Sequence, residues 1–146
     1  ILIDGCEISS GGDAAVFVSG TGSAPRFRSC RLTGPGKHGI LLADGSAHLD
    51  GCEIIGSAMA GAEVRPGSRL RIERCDITGN GGDGIAAAAS SLIEATGSHF
   101  GVNGRAAIAA GVNATVRVND CTFAAPEGMQ IVAAPLATIL VDGKPR

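Results

Sequence analysis

The segment Cys75-Asp76-Ile77-Thr78-Gly79-Asn80-Gly81-Gly82-Asp83-Gly84-Ile85-Ala86-Ala87 contains two period-two apolar pairs separated by a glycine-rich turn. Cys75 and Ile77 form the first pair, Ile85 and Ala87 the second, and each has the spacing of residues on one face of a strand. The first pair recurs along the chain as Cys6 with Ile8, Cys30 with Leu32, Cys52 with Ile54, Ser98 with Phe100 and Cys121 with Phe123. Steps of 24, 22, 23, 23 and 23 residues separate the first members. A period in this range is the mark of a solenoid.

The second pair recurs as Val16 and Val18, Ile40 and Leu42, Ala62 and Val64, Ile108 and Ala110, and Ile131 and Ala133. A third pair precedes the next repeat, as Ala47 and Leu49, Leu70 and Ile72, Ile93 and Ala95, and Val116 and Val118. Turn residues lie between pairs, among them Thr33-Gly34-Pro35-Gly36, Asp44-Gly45-Ser46 and Arg65-Pro66-Gly67-Ser68. Each repeat therefore predicts three short strands and three bends, with equivalent strands stacking as parallel sheets about 4.8 Å apart. With 23 glycines at regular offsets, helical runs are disfavoured.

These residues resemble the right-handed parallel β-helix of the pectin-lyase-like superfamily, over essentially the whole chain. Gly79 to Ile85 is similar to the turn-into-strand segment of such repeats. The resemblance implies an all-β solenoid of about six coils of 22–24 residues. It leaves activity open, because the superfamily includes lyases, hydrolases, epimerases, phage tailspikes and binding modules without catalysis. Residues 1–146 read as a single β-helix domain. Ile1-Leu2-Ile3-Asp4-Gly5 matches the last strand of a coil, as in Leu70-Arg71-Ile72-Glu73-Arg74, so a fragment of a longer protein is expected.

Composition narrows the partners. A formal charge of −2, from 12 basic and 14 acidic residues, creates no basic field for nucleic acid. Trp and Tyr are absent, which removes the aromatic platforms that sugars and single strands usually stack on. No apolar stretch approaches the roughly 20 residues of a membrane span. Five cysteines at one repeat position predict a row of free, buried thiols acting as small hydrophobes. A straight row does not converge on a metal, so neither a metal site nor a cofactor is expected. An odd, unpaired set slightly favours the cytoplasm over an oxidising compartment.

Outward positions sort into three faces. The first strand presents Glu7, Arg31, Glu53, Asp76, His99 and Thr122, a charge ladder in which two carboxylates are stacked beside a histidine. Asp76, Asp83, His99 and Arg105 are the candidate acid, base and charge-stabilising groups should the chain be a carbohydrate-active enzyme on an acidic polysaccharide. The third strand mixes signs, with Arg26, His48, Arg71, Glu94 and Arg117 in one row. On the second strand the reading places Gly39, Gly61, Gly84 and Ala107 outward, together with Phe17, Leu41, Ala86, Ala88, Ala109 and Val132. Such an apolar outer face suggests an interface for a protein partner, a neighbouring domain or a second copy. Coils of 22 to 24 residues leave no insertion long enough to wall a cleft, so a non-catalytic binding or oligomerisation module is favoured over the enzyme.

Overall fold

A computed structural model describes residues 1–146 as a solenoid of three parallel sheets, with one 3₁₀ turn at Glu127–Met129 as its helical element. The first sheet stacks Glu7–Ser9, Arg31–Thr33, Glu53–Ile55, Asp76–Thr78, His99–Phe100 and Thr122–Phe123. The second stacks Ala14–Val18, His38–Leu42, Ala62–Val64, Ile85–Ala87, Ile108–Ala110 and Ile131–Ala133. The third runs from Leu2–Asp4 through Arg26–Arg28, Ser46–Asp50, Arg69–Glu73, Leu92–Thr96 and Thr115–Asn119 to Thr138–Val141. An antiparallel strand, Lys144–Pro145, closes that last edge. Coils are numbered here from one to six, beginning at Cys6, Cys30, Cys52, Cys75, Ser98 and Cys121.

Strand register follows the repeat residue for residue. Ile54, Ile77 and Phe100 are Cα partners in the first sheet, and Ile85 pairs with Ala62 and Ile108 in the second. Their side chains are fully buried and fill the interior together with Leu49, Leu70, Ile72 and Ile93. Near the last coil the stack becomes aromatic, with the Phe100 and Phe123 rings parallel at 5.1 Å.

Each passage from the third sheet to the first turns on one left-handed residue. Gly5, Ser29, Gly51, Arg74, Gly97 and Asp120 occupy it, with φ between 51° and 66°; Asp142, the equivalent residue after the last strand of the third sheet, has φ 51° but leads into the antiparallel Lys144–Pro145 strand. Only a left-handed residue reverses the chain there within one position, and non-glycine side chains in that region cost about 1 kcal/mol or more. Immediately after it comes the cysteine or Ser98. The thiols donate to carbonyls of the preceding coil, Cys30 to Ile3, Cys52 to Phe27 and Cys75 to Leu49, at 3.3–3.4 Å. Cys6 is exposed and Cys121 half-buried, so the expected buried row holds only for Cys30, Cys52 and Cys75.

Entry to the second sheet corrects one expectation. The position that a Cβ would take at Gly39, Gly61 or Gly84 points into the coil, toward neighbouring carbonyls and the Ile54 or Ile77 side chain. Ala107, the equivalent residue in coil five, is buried in the core. At Gly61, Gly84 and Ala107 the bend preceding the strand rotates the residue inward, and Gly39, already within His38–Leu42, keeps the same inward direction, against simple alternation. A methyl at Gly84 would lie 2.6 Å from the Ala107 carbonyl oxygen. Gly84→Ala is therefore expected to destabilise the fold by about 2 kcal/mol, as overpacking does. A urea midpoint equal to that of the parent would contradict this inward placement.

Candidate functional site

The two charged faces are tied up in coil-to-coil ion pairs. On the third sheet Arg28 meets Asp4 at 2.7 Å, Arg74 meets Asp50 at 2.6 Å and Arg69 meets Glu94 at 2.6 Å. Glu73 gathers His48, Arg71 and Arg74. On the first sheet Arg31 bridges Glu7 at 3.8 Å and Glu53 at 3.3 Å. Exposed pairs of this kind contribute at most a few tenths of a kcal/mol each. Their visible effect is on the charge states, since the Arg28 guanidinium holds the Asp4 carboxyl below the usual carboxylate range.

The four candidate catalytic residues are not brought together. Asp76 stands in register between Glu53 and His99, as expected from the repeat. The His99 ring, however, turns to the following coil, where Nδ1 lies 2.7 Å from the Thr122 hydroxyl. Asp83 accepts the Ala106 amide at 3.0 Å. Arg105 is exposed and forms no ion pair with Asp76 or Asp83. One feature of the ladder is chemically open, because Asp76 Oδ1 is buried without a hydrogen-bond partner.

Asp83 belongs to a column of residues that enter the second sheet, Ala14, His38, Ala60, Asp83, Ala106 and Met129. His38, in coil two, performs the same task as Asp83. Its Nδ1 contacts the Ala60 carbonyl at 3.0 Å, one coil onward, while Nε2 lies 3.3 Å from Glu63. The sequence reading passed over His38; its place in the Asp83 column, two residues before Ile40, was the available signal. A parallel tie lies nearby inside the first turn. The Asn80 amide donates to Asn103 at 2.9 Å and to the Ile54 carbonyl at 3.3 Å, and accepts the Ser57 amide.

The outer row of the second sheet is Phe17, Leu41, Glu63, Ala86, Ala109 and Val132, joined by register across all six coils. Phe17 is 58% exposed and Val132 43%. Leu41 corrects the expected surface, being only 3% exposed. It forms the floor of a small cavity under His38, Met59, Glu63 and Arg65, whose longer side chains gather over it. From coil four onward the row is small, and Ala86, Ala88, Ala109, Gly111, Val132 and Ala134 line a shallow groove of about 370 Å³. Glu63 closes one end of it.

The surrounding turns extend this apolar character. Nine large apolar residues are exposed, and seven of them, Phe17, Met59, Val102, Val112, Met129, Val132 and Leu136, lie in the second sheet or in turns that enter and leave it. The other two, Ile1 and Leu2, are at the chain start. No group of three or more His, Cys, Asp or Glu is arranged to hold a metal ion. No helix is long and apolar enough to cross a membrane.

Thiol chemistry is subdued by burial, which pushes the Cys30 and Cys121 thiols up. Cys75 is raised by the neighbouring Cys52 thiol and by burial, and the same neighbour draws Cys52 down to about 7. Access, rather than ionisation, then decides reactivity, because reagents must reach the sulfur. A disulfide reagent at pH 8 is expected to modify Cys6 in the folded protein, leaving Cys30, Cys52 and Cys75 unmodified until unfolding. Rapid loss of the Cys52 thiol would show that the corner opens. For Asp4, a folded-state value below the unfolded one means that its contribution is present above the unfolded value and is lost as pH falls through the folded one. An NMR titration of Arg28→Gln is expected to return Asp4 to the ordinary carboxylate range.

No curated protein and no solved structure matches this sequence significantly. The family model for a right-handed beta helix region matches residues 1–140. With that match covering nearly the entire chain and three parallel sheets winding through it, the protein belongs to the right-handed β-helix family.

Proposed function

We propose that this chain is a non-catalytic β-helix module that presents the outer face of its second sheet as a rigid protein-binding or oligomerisation surface. The observation supporting this reading is the segregation of exposed apolar side chains. Seven of the nine large ones lie in or beside one sheet, while the third sheet is laced with ion pairs and the first carries those of Arg31. A solvated sheet face ordinarily alternates polar residues outward. Apolar patches of a few hundred Å² usually mark contact sites.

The alternative reading is a carbohydrate-active enzyme on an acidic polysaccharide. Asp76, with its unpartnered oxygen, is the residue that favours it. Catalysis would require the reacting groups to converge, and His99 and Asp83 are engaged with Thr122 and the Ala106 amide while Arg105 pairs with neither carboxylate.

Ala86→Arg together with Ala109→Arg places two charges on the apolar row without touching the core. This double variant is expected to keep the β-rich circular dichroism and to lose at least tenfold in association through this face, measured by light scattering; about tenfold corresponds to 1.4 kcal/mol. Unchanged association would overturn the module reading. Release of unsaturated or reducing ends from a uronate polymer, abolished by Asp76→Ala, would establish the enzyme instead.

A further inference from the structure

The outer row of the second sheet carries three features at equal intervals. Phe17 projects in coil one, the oppositely charged Glu63 and Arg65 lie in coil three, and the alanine groove centres on Ala109 in coil five. Two coils separate knob from charges, and two separate charges from groove. We infer that the occupant of this face is a second copy of the chain, related by a two-fold axis that runs along the Ala62–Val64 strand.

Such an axis reverses the coil order while keeping the strand direction. Coil one then faces coil five of the partner, and Phe17 enters the other copy's groove above Ala109. By the same operation the partner's phenylalanine enters this groove, so each copy gives one knob and receives one. Coil three faces itself. The axis sets Glu63 against the partner's Glu63 and Arg65 against the partner's Arg65; Glu63 lies in the strand and Arg65 just after it, 4.0 Å between their charged atoms, and the long, half-exposed Arg65 side chain can reach diagonally to the partner's Glu63. Reciprocal contacts of this kind define an isologous interface.

Size agrees with a reversible dimer. Coils one to five overlap across the axis, four strand intervals or about 19 Å. With its bordering turns the overlapping face covers on the order of 500 Å² per copy, below the roughly 800 Å² per partner of a standard interface. Alternative axes are less favourable. An axis parallel to the solenoid sets Phe17 against Phe17 and leaves both grooves unfilled.

This inference rests on the module reading, and complementation separates the two. Phe17→Ala removes the knob and Ala109→Leu fills the groove. Sedimentation equilibrium is expected to show a concentration-dependent dimer for the parent chain. Each variant alone should dissociate at least about tenfold more readily, the cost of a buried aromatic anchor. Mixing the two variants should restore dimer, because the knob of the Ala109→Leu chain still finds the open groove of the Phe17→Ala chain. A parent chain that stays monomeric at millimolar concentration would overturn the second copy while leaving the face free for another partner. A dimer broken by Ala86→Arg with Ala109→Arg but not restored by mixing would overturn the knob-in-groove pairing alone. A dimer indifferent to those arginines would overturn both readings.

Discussion

The left-handed residue at the passage from the third sheet to the first sets the length of every coil. Because one residue makes the reversal, the strands on either side are held at a fixed offset, and each coil returns to the same place above the last. Backbone groups then find partners only in the coils before and after, such as the Arg31 amide on the Cys6 carbonyl and the Asp76 amide on the Cys52 carbonyl. A buried backbone group left unpaired would cost about as much as a lost hydrogen bond. The strain of a non-glycine residue at Arg74 or Asp120 is therefore accepted because the adjoining ladders over-determine the corner.

This arrangement explains the cysteines without assigning them chemistry. The residue following the corner points between two sheets, where the thiol lies within reach of a carbonyl one turn earlier. Sulfur fills this space and also donates weakly to two carbonyls, as Cys75 does to Leu49 and Glu73. Ser98 substitutes in coil five by the same geometry, donating to the Thr96 carbonyl while accepting the Cys75 amide. The row is thus a hydrogen-bonding element as well as a packing one.

Inward positions were legible because period-two pairs repeat at 22 to 24 residues, and a single slip would have turned every pair outward. Gly61 and Gly84 escaped that logic, since alternation describes strands and these residues sit in the bend before one. Leu41 escaped it for another reason. Its outward direction was foreseen, but its burial depends on Met59 and Arg65 of the next coil as well as on His38 of its own strand, and no single repeat encodes that combination. The polar ties were hidden likewise. Asn80 and Asn103 stand one period apart in sequence, yet only the folded turn shows their amides meeting inside.

Small residues on the outer face of the second sheet are not demanded by the core. Ala86 and Ala109 alternate with inward Ile85, Ala87, Ile108 and Ala110, and an outward side chain of any length would leave those contacts intact. Elsewhere on the solenoid the same outward freedom is filled by Arg, Glu and Asp, which keep water against the sheet and bind successive coils together. Alanine forgoes those pairs and has a poor intrinsic preference for strands. Packing within the chain therefore offers no reason for the choice. A surface pressed against this face would supply one, because only short side chains allow a second sheet or a phenylalanine ring to approach the backbone closely.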